Sequence, residues 1–156
     1  MKIQAMIKVL IIHHAPLIRS GLVALIEATG RFAVCGETDD VPTGREMLLK
    51  LQPRVVGLGL TLRRGSGFEL IKDIRRLNRA ARVLVVSARD DPLSIQRAFR
   101  AGTHGYFALE DDSSEILQAL SSIFEGHLYA STNVMRRLLK SLATNEIEPA
   151  RSEVKA

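Results

Sequence analysis

The chain has 156 residues with 22 basic against 17 acidic side chains, a net charge of +5. Its hydrophobic share of 46% and charged share of 25% are those of one ordinary folded domain and argue against a disordered chain. The single Cys35 excludes a disulfide framework and a cysteine-based zinc site. Aromatics make up 4% with no tryptophan, so there is no stacking platform for single-stranded nucleic acid. The basic residues are scattered singly and in pairs, such as Arg63-Arg64, Arg75-Arg76 and Arg136-Arg137, which reads as a solvated surface rather than a direct nucleic-acid contact. No apolar run approaches the roughly 20 residues that span a bilayer. The apolar start carries no small-residue cleavage site, so a cytoplasmic domain without a signal peptide is expected.

The continuous apolar run Ile7–Ile12 predicts a strand covered on both faces. A helix follows over 16–29, with Leu17, Gly21 and Leu25 beside Ile18, Leu22 and Ile26 on its inward side and Gly30 as its stop. A weaker strand is expected over 32–35. The next helix covers 43–51, turning Met47, Leu48 and Leu51 inward, with Pro53 ending it. A third strand occupies 54–60. The helix beginning near Gly67 carries Phe68, Leu70, Ile71, Ile74 and Leu77. A strand over 82–86 leads into a helix over 91–101, which holds Ile95, Ala98 and Phe99 and stops at Gly102.

A fifth strand is expected over 105–109. Asp112 with Glu115 three residues on forms a capping-box pattern for a helix running through Ile116, Leu120 and Ile123 to Gly126. Residues 131–142 fit a short amphipathic helix through Val134, Leu138, Leu139 and Leu142, and 144–156 reads as a polar linker or tail. The division is therefore a domain over 1–130 and a helix plus tail over 131–156.

Strands alternating with helices imply an α/β fold: a five-stranded parallel sheet of order 2-1-3-4-5 with helices on both faces, as in flavodoxin-like proteins. Chemistry in such sheets gathers at the carboxyl ends of the strands. That brings His13 and His14, the loop from Gly59 to Ser66, Ser87 to Asp90, and Leu109 to Asp112 to one rim.

These stretches resemble a known family. The run from Ile7 to Leu22, with Cys35-Gly-Glu-Thr, Gln52-Pro-Arg-Val-Val, Val83-Leu-Val-Val-Ser-Ala-Arg and Ala98-Phe-Arg-Ala-Gly-Thr-His-Gly-Tyr-Phe, is similar to response-regulator receiver domains. More narrowly, it resembles the NarL/FixJ branch that precedes a LuxR-type helix-turn-helix. The resemblance covers about residues 6 to 130.

It implies an aspartate after the third strand that accepts a phosphoryl group, and two acidic residues after the first strand that hold Mg²⁺ with it. A hydroxyl and a lysine grip the phosphoryl oxygens. In this sequence the acidic pair falls on His13 and His14, the acceptor on Gly59 and the lysine on Leu109; the hydroxyl, Ser87, and the aromatic switch position, Tyr106, remain. The expectation is a degenerate, non-enzymatic receiver without metal or other cofactor. It would work by phosphorylation-independent contacts with a protein partner or a second copy, with no membrane.

Its contact surface is expected on the first and fifth helices, or on the fourth helix, fifth strand and fifth helix, where Tyr106 is the residue of interest. DNA contact would belong to a following domain outside this chain; a stand-alone adaptor is the alternative. A different class of reading makes the vacated pocket a small-ligand sensor, with Arg63, Arg64 and Arg89 as contacts for an anion.

Overall fold

The computed structural model describes residues 5–144; of the expected polar tail, everything after Thr144 lies outside the described residues. The elements are β1 (Ile7–Ile12), α1 (Pro16–Glu27), β2 (Phe32–Thr38), α2 (Val41–Leu51), β3 (Val55–Leu58), β4 (Thr61–Leu62), β5 (Gly65–Ser66), α3 (Gly67–Leu77), β6 (Arg82–Ser87), α4 (Pro92–Ala101), β7 (Gly105–Ala108), α5 (Glu115–Phe124), β8 (Tyr129–Ala130) and α6 (Thr132–Thr144). The main sheet is parallel, in the order β2-β1-β3-β6-β7-β8.

The expected α/β fold is present, with the five anticipated strands in the anticipated order, but the sheet has six strands. The sixth, β8, adds Tyr129 and Ala130 alongside Gly105 and Tyr106 at the β7 edge. A two-residue strand has no period to read, so nothing local announces it.

Successive strand residues serve opposite faces, as the pleat requires. Val9, Ile11, Val55, Leu84, Val86 and Phe107 join one apolar cluster with Leu22 and Ile26 of α1 and Ile116, Leu120 and Ile123 of α5. Leu10, Ile12, Val56, Leu58, Val83, Val85 and Tyr106 join the other, with residues of α2, α3, α4 and α6. Each large aliphatic side chain so buried contributes about 1.5–3 kcal/mol of transfer free energy. Three expected inward positions of α1, Leu17, Gly21 and Leu25, turn out to be exposed. Leu17 is 83% exposed and Leu25 also faces outward, so α1 buries only Leu22 and Ile26 completely.

The capping box before α5 is not formed. Asp112 accepts from the Ser114 N–H within a turn, while the Glu115 carboxylate reaches away to Tyr129 and Thr132. At the starts of α2, α3 and α4 the caps behave regularly, whereas α1 follows Ala15 without a side-chain cap. Asp40, Ser66 and Asp91 accept from N–H groups in the first turns of α2, α3 and α4.

Candidate functional site

Because the strands are parallel, their carboxyl ends meet at one rim, and a concavity of about 210 Å³ opens there. His13, His14, Ser87, Arg89 and Leu109 line it. Gly59 follows β3 directly and donates its N–H to the Ile12 carbonyl at 2.8 Å, so its Cα lies beside the end of β1.

His13 is only 3% exposed. Its Nδ1 accepts the Ala15 N–H at 3.2 Å, and its backbone carbonyl accepts from the Arg19 guanidinium at 2.7 Å. Burial pulls its pKa down to about 4; the neighbouring His14 adds to the drop, and a hydrogen bond to the Val86 backbone opposes it. The imidazole is therefore neutral at physiological pH. His14 is exposed, yet the two rings stack, centroids 5.0 Å apart and planes at 16°. A continued strand would send neighbouring side chains to opposite sides; the chain bends out of β1 after Ile12 and brings them together.

The His13 ring also fills the space beside Gly59. A Cβ on residue 59 would lie 2.8 Å from His13 Cδ2 and 3.2 Å from both Cγ and Nε2. Such a contact is well inside van der Waals distance, so the imidazole and a side chain at 59 exclude each other. Gly67 presses from the α3 side, where an added Cβ would meet the Gly59 carbonyl oxygen at 2.2 Å. Among the described residues no three His, Cys, Asp or Glu side chains come together as a metal set.

Ser87 accepts the Arg89 N–H at 2.9 Å and so stiffens the loop after β6. Tyr106 is a correction to the expected surface: it is fully buried. Its hydroxyl donates to the Arg89 carbonyl, and burial pushes its pKa up to about 12. Its ring belongs to the cluster that includes Ile95 and Ala98 of α4 and Val134 of α6.

The anion contacts also need correction. Arg64 grips Asp40 with Nε and Nη2 at 2.6 and 2.8 Å, and Arg63 pairs with Asp39 at 3.1 Å. Both arginines sit at the tip of the β4–β5 hairpin and fasten it to the loop before α2, so they do not line the concavity. Asp40 is itself buried, and the Arg64 guanidinium holds its carboxyl well below the usual carboxylate range. Arg89 does line the concavity, with its guanidinium 5.6 Å from the Phe68 ring centroid.

Sequence reasoning missed the residues that hold the C-terminal helix. Asp111 accepts the Asn133 N–H at 3.0 Å and its Nδ2 at 2.7 Å; Glu115 accepts from Tyr129 Oη, the Thr132 N–H and Thr132 Oγ1. Arg137 pairs with Asp90 at 3.2 Å, and Ser131 Oγ accepts the Ala108 N–H. Through these contacts β8 and α6 cover the β7 edge and the adjoining side of α4. Among the described residues the α1–α5 side stays open, with a groove of about 130 Å³ between Leu17, Leu25 and Ile116.

Comparison with known proteins decides the family. The response regulator receiver domain profile matches residues 9–121. The chain belongs to this family. As a receiver domain it is a signalling module of the two-component type. It is 28% identical over 146 residues to the nitrate/nitrite response regulator protein homolog of Haemophilus influenzae, covering 94% of this chain and 69% of that protein. It is 25% identical to the transcriptional regulatory protein DegU of Brevibacillus brevis, over 95% of this chain and 64% of DegU.

Among solved structures, this receiver is similar to a LuxR-family two-component response regulator from Aurantimonas sp., with a TM-score of 0.84 and 26% identity over 89% of this chain and 99% of that one. It is similar also to the receiver domain of the response regulator NarL from Mycobacterium tuberculosis, with a TM-score of 0.74 and 26% identity over 80% and 100% of the two chains. The chain thus spans roughly two thirds of its full-length relatives. Among the described residues no helix is long and apolar enough to cross a membrane.

Proposed function

We propose that this receiver regulates by protein contacts without accepting a phosphoryl group. One observation carries the reading: the His13 ring occupies the space that an acceptor side chain at position 59 requires. The chemistry agrees. Gly59 has no side-chain oxygen to phosphorylate, and Leu109 has no charge to hold a phosphoryl oxygen. Mg²⁺, which the family's reaction calls for, does not fit this donor set, since it requires hard oxygen ligands and His13 and His14 present imidazoles. The working output is a contact with a protein partner or a second copy in transcription control in the cytoplasm. Contact with DNA belongs to a domain outside the described residues.

Incubation with acetyl phosphate and Mg²⁺, followed by intact-mass measurement, tests this. The expected result is an unchanged mass; an acid-labile phosphoryl adduct overturns the proposal.

A second reading rests on the rim concavity of about 210 Å³, where the exposed His14 and Arg89 face a space that the missing chemistry leaves to a small anionic ligand. Thermal-shift titration with acidic metabolites and nucleotides checks it. A saturable rise in Tm that disappears in Arg89→Ala supports sensing at this rim, and no rise with any of them rejects it.

A further inference from the structure

Most arginines around α2 and α3 are neutralised locally. Arg45, Arg63, Arg64 and Arg76 each have a carboxylate oxygen within 3.1 Å. This pattern stops at the seam between α3 and α4. There Lys72, Arg97 and Arg100 border a concavity of about 220 Å³, with Phe68 and Ala101 completing its wall. Among the described residues none of these three cations is in an ion pair. Asp73, next to Lys72 in sequence, is already shared by Arg45 and Arg76, and Glu69, one turn earlier, is exposed and makes no ion pair among the described residues. Three like charges around one hollow repel one another, and a bound anion removes that repulsion.

The hollow is also partly built in advance. The Arg97 guanidinium lies 3.9 Å from the centroid of the nearly buried Phe68 ring, and Arg89 approaches the same ring at 5.6 Å. This cation–π contact holds the exposed Arg97 guanidinium against the ring before any ligand arrives, which lowers the ordering cost of binding. A planar guanidinium fork with a lysine point charge is the donor set that recognises phosphate oxygens.

We infer that the α3–α4 seam is a binding site for a phosphate-bearing small molecule carrying at least two negative charges, a diphosphate group being the fitting size. The site is separate from the rim at the ends of β1 and β3 and does not depend on how that rim works. Its neighbour is the loop after β6, through Arg89.

The test is a titration of the full chain, labelled with nitrogen-15, by pyrophosphate at constant ionic strength, read by amide chemical shifts. Saturable shifts centred on Phe68, Lys72, Arg97 and Arg100 are expected. The exposed pair Lys72→Ala/Arg100→Ala weakens binding about tenfold or more with the remaining spectrum unchanged. Arg97→Lys retains the charge but loses the guanidinium fork and its close contact with the ring, and weakens binding about threefold or more. Shifts that never saturate, or equal affinity in Arg97→Lys, overturn the proposal by reducing the seam to a diffuse positive field. Tighter binding of a short DNA duplex, lost in Lys72→Ala/Arg100→Ala, overturns it in favour of a polymer-binding face.

Discussion

Gly59→Ala isolates the contact on which the functional proposal rests. Gly59 has no positive φ, so alanine meets no backbone strain there. On backbone grounds alone the change would stabilise by about 0.4–1 kcal/mol, because alanine narrows the unfolded ensemble. Against this stands the added methyl at 2.8 Å from His13 Cδ2, in a ring that is buried and tied through Nδ1 to the Ala15 N–H. Overpacking of this kind costs about 1–3 kcal/mol. The net expectation is a loss of about 1–2 kcal/mol, which in a chain of this size lowers Tm by roughly 2–8 °C.

The double-mutant cycle sharpens the expectation. In a His13→Ala background the methyl enters vacated space, and Gly59→Ala becomes neutral or stabilising, a coupling of about 1–3 kcal/mol between the two positions. Urea unfolding followed by circular dichroism at pH 8 measures all four corners. Gly59→Ala at or above wild-type stability would refute the reasoning, and so would an equal cost in both backgrounds.

Other expected outcomes follow from the same structure. Gly67→Ala is more damaging than Gly59→Ala, roughly 3 kcal/mol or more, because its Cβ would meet backbone at 2.2 and 2.7 Å rather than a side chain; a smaller loss than for Gly59→Ala in urea unfolding contradicts this. The pKa values of His13 and His104 are both pulled to about 4, from an ordinary 6.5, chiefly by burial. A lowered folded value means that the unfolded chain binds more protons, so stability is complete above about pH 6.5 and falls between there and pH 4. At pH 5.5 each histidine costs on the order of 1 kcal/mol relative to pH 8, and a urea midpoint equal at the two pH values would exclude this. Asp111→Ala removes the acceptor for the Asn133 N–H and Nδ2 and frees the start of α6 at a cost of about 1–2 kcal/mol. Hydrogen exchange then accelerates in α6 while the amides of β1 and β3 keep their protection; unchanged exchange in α6 refutes the latch.

The layered α/β architecture was legible in the sequence, because each of its signals is local. Ile7–Ile12 and the run around Val83 are apolar without a break, as strands buried on both faces must be. Gly30 and Gly102 mark helix ends by their own backbone preference. The residue identities behind the proposed loss of phosphoryl acceptance were equally legible: a glycine at 59, a leucine at 109 and imidazoles at 13 and 14.

Tertiary structure alone decided which residues fill the space and which charges are spoken for. That the ring of His13 lies where a side chain at 59 would go depends on the register of β1 against β3, which brings together residues 46 positions apart. Arg63 and Arg64 read as free cations until the β4–β5 hairpin folds them onto Asp39 and Asp40. Tyr106 reads as a surface aromatic until β8 and α6 close over the β7 edge, held by Asp111 and Glu115. Periodicity reports which side of an element is apolar; it carries no information about which distant polar group completes a hydrogen bond, and on this rim those distant partners determine what each residue is able to do.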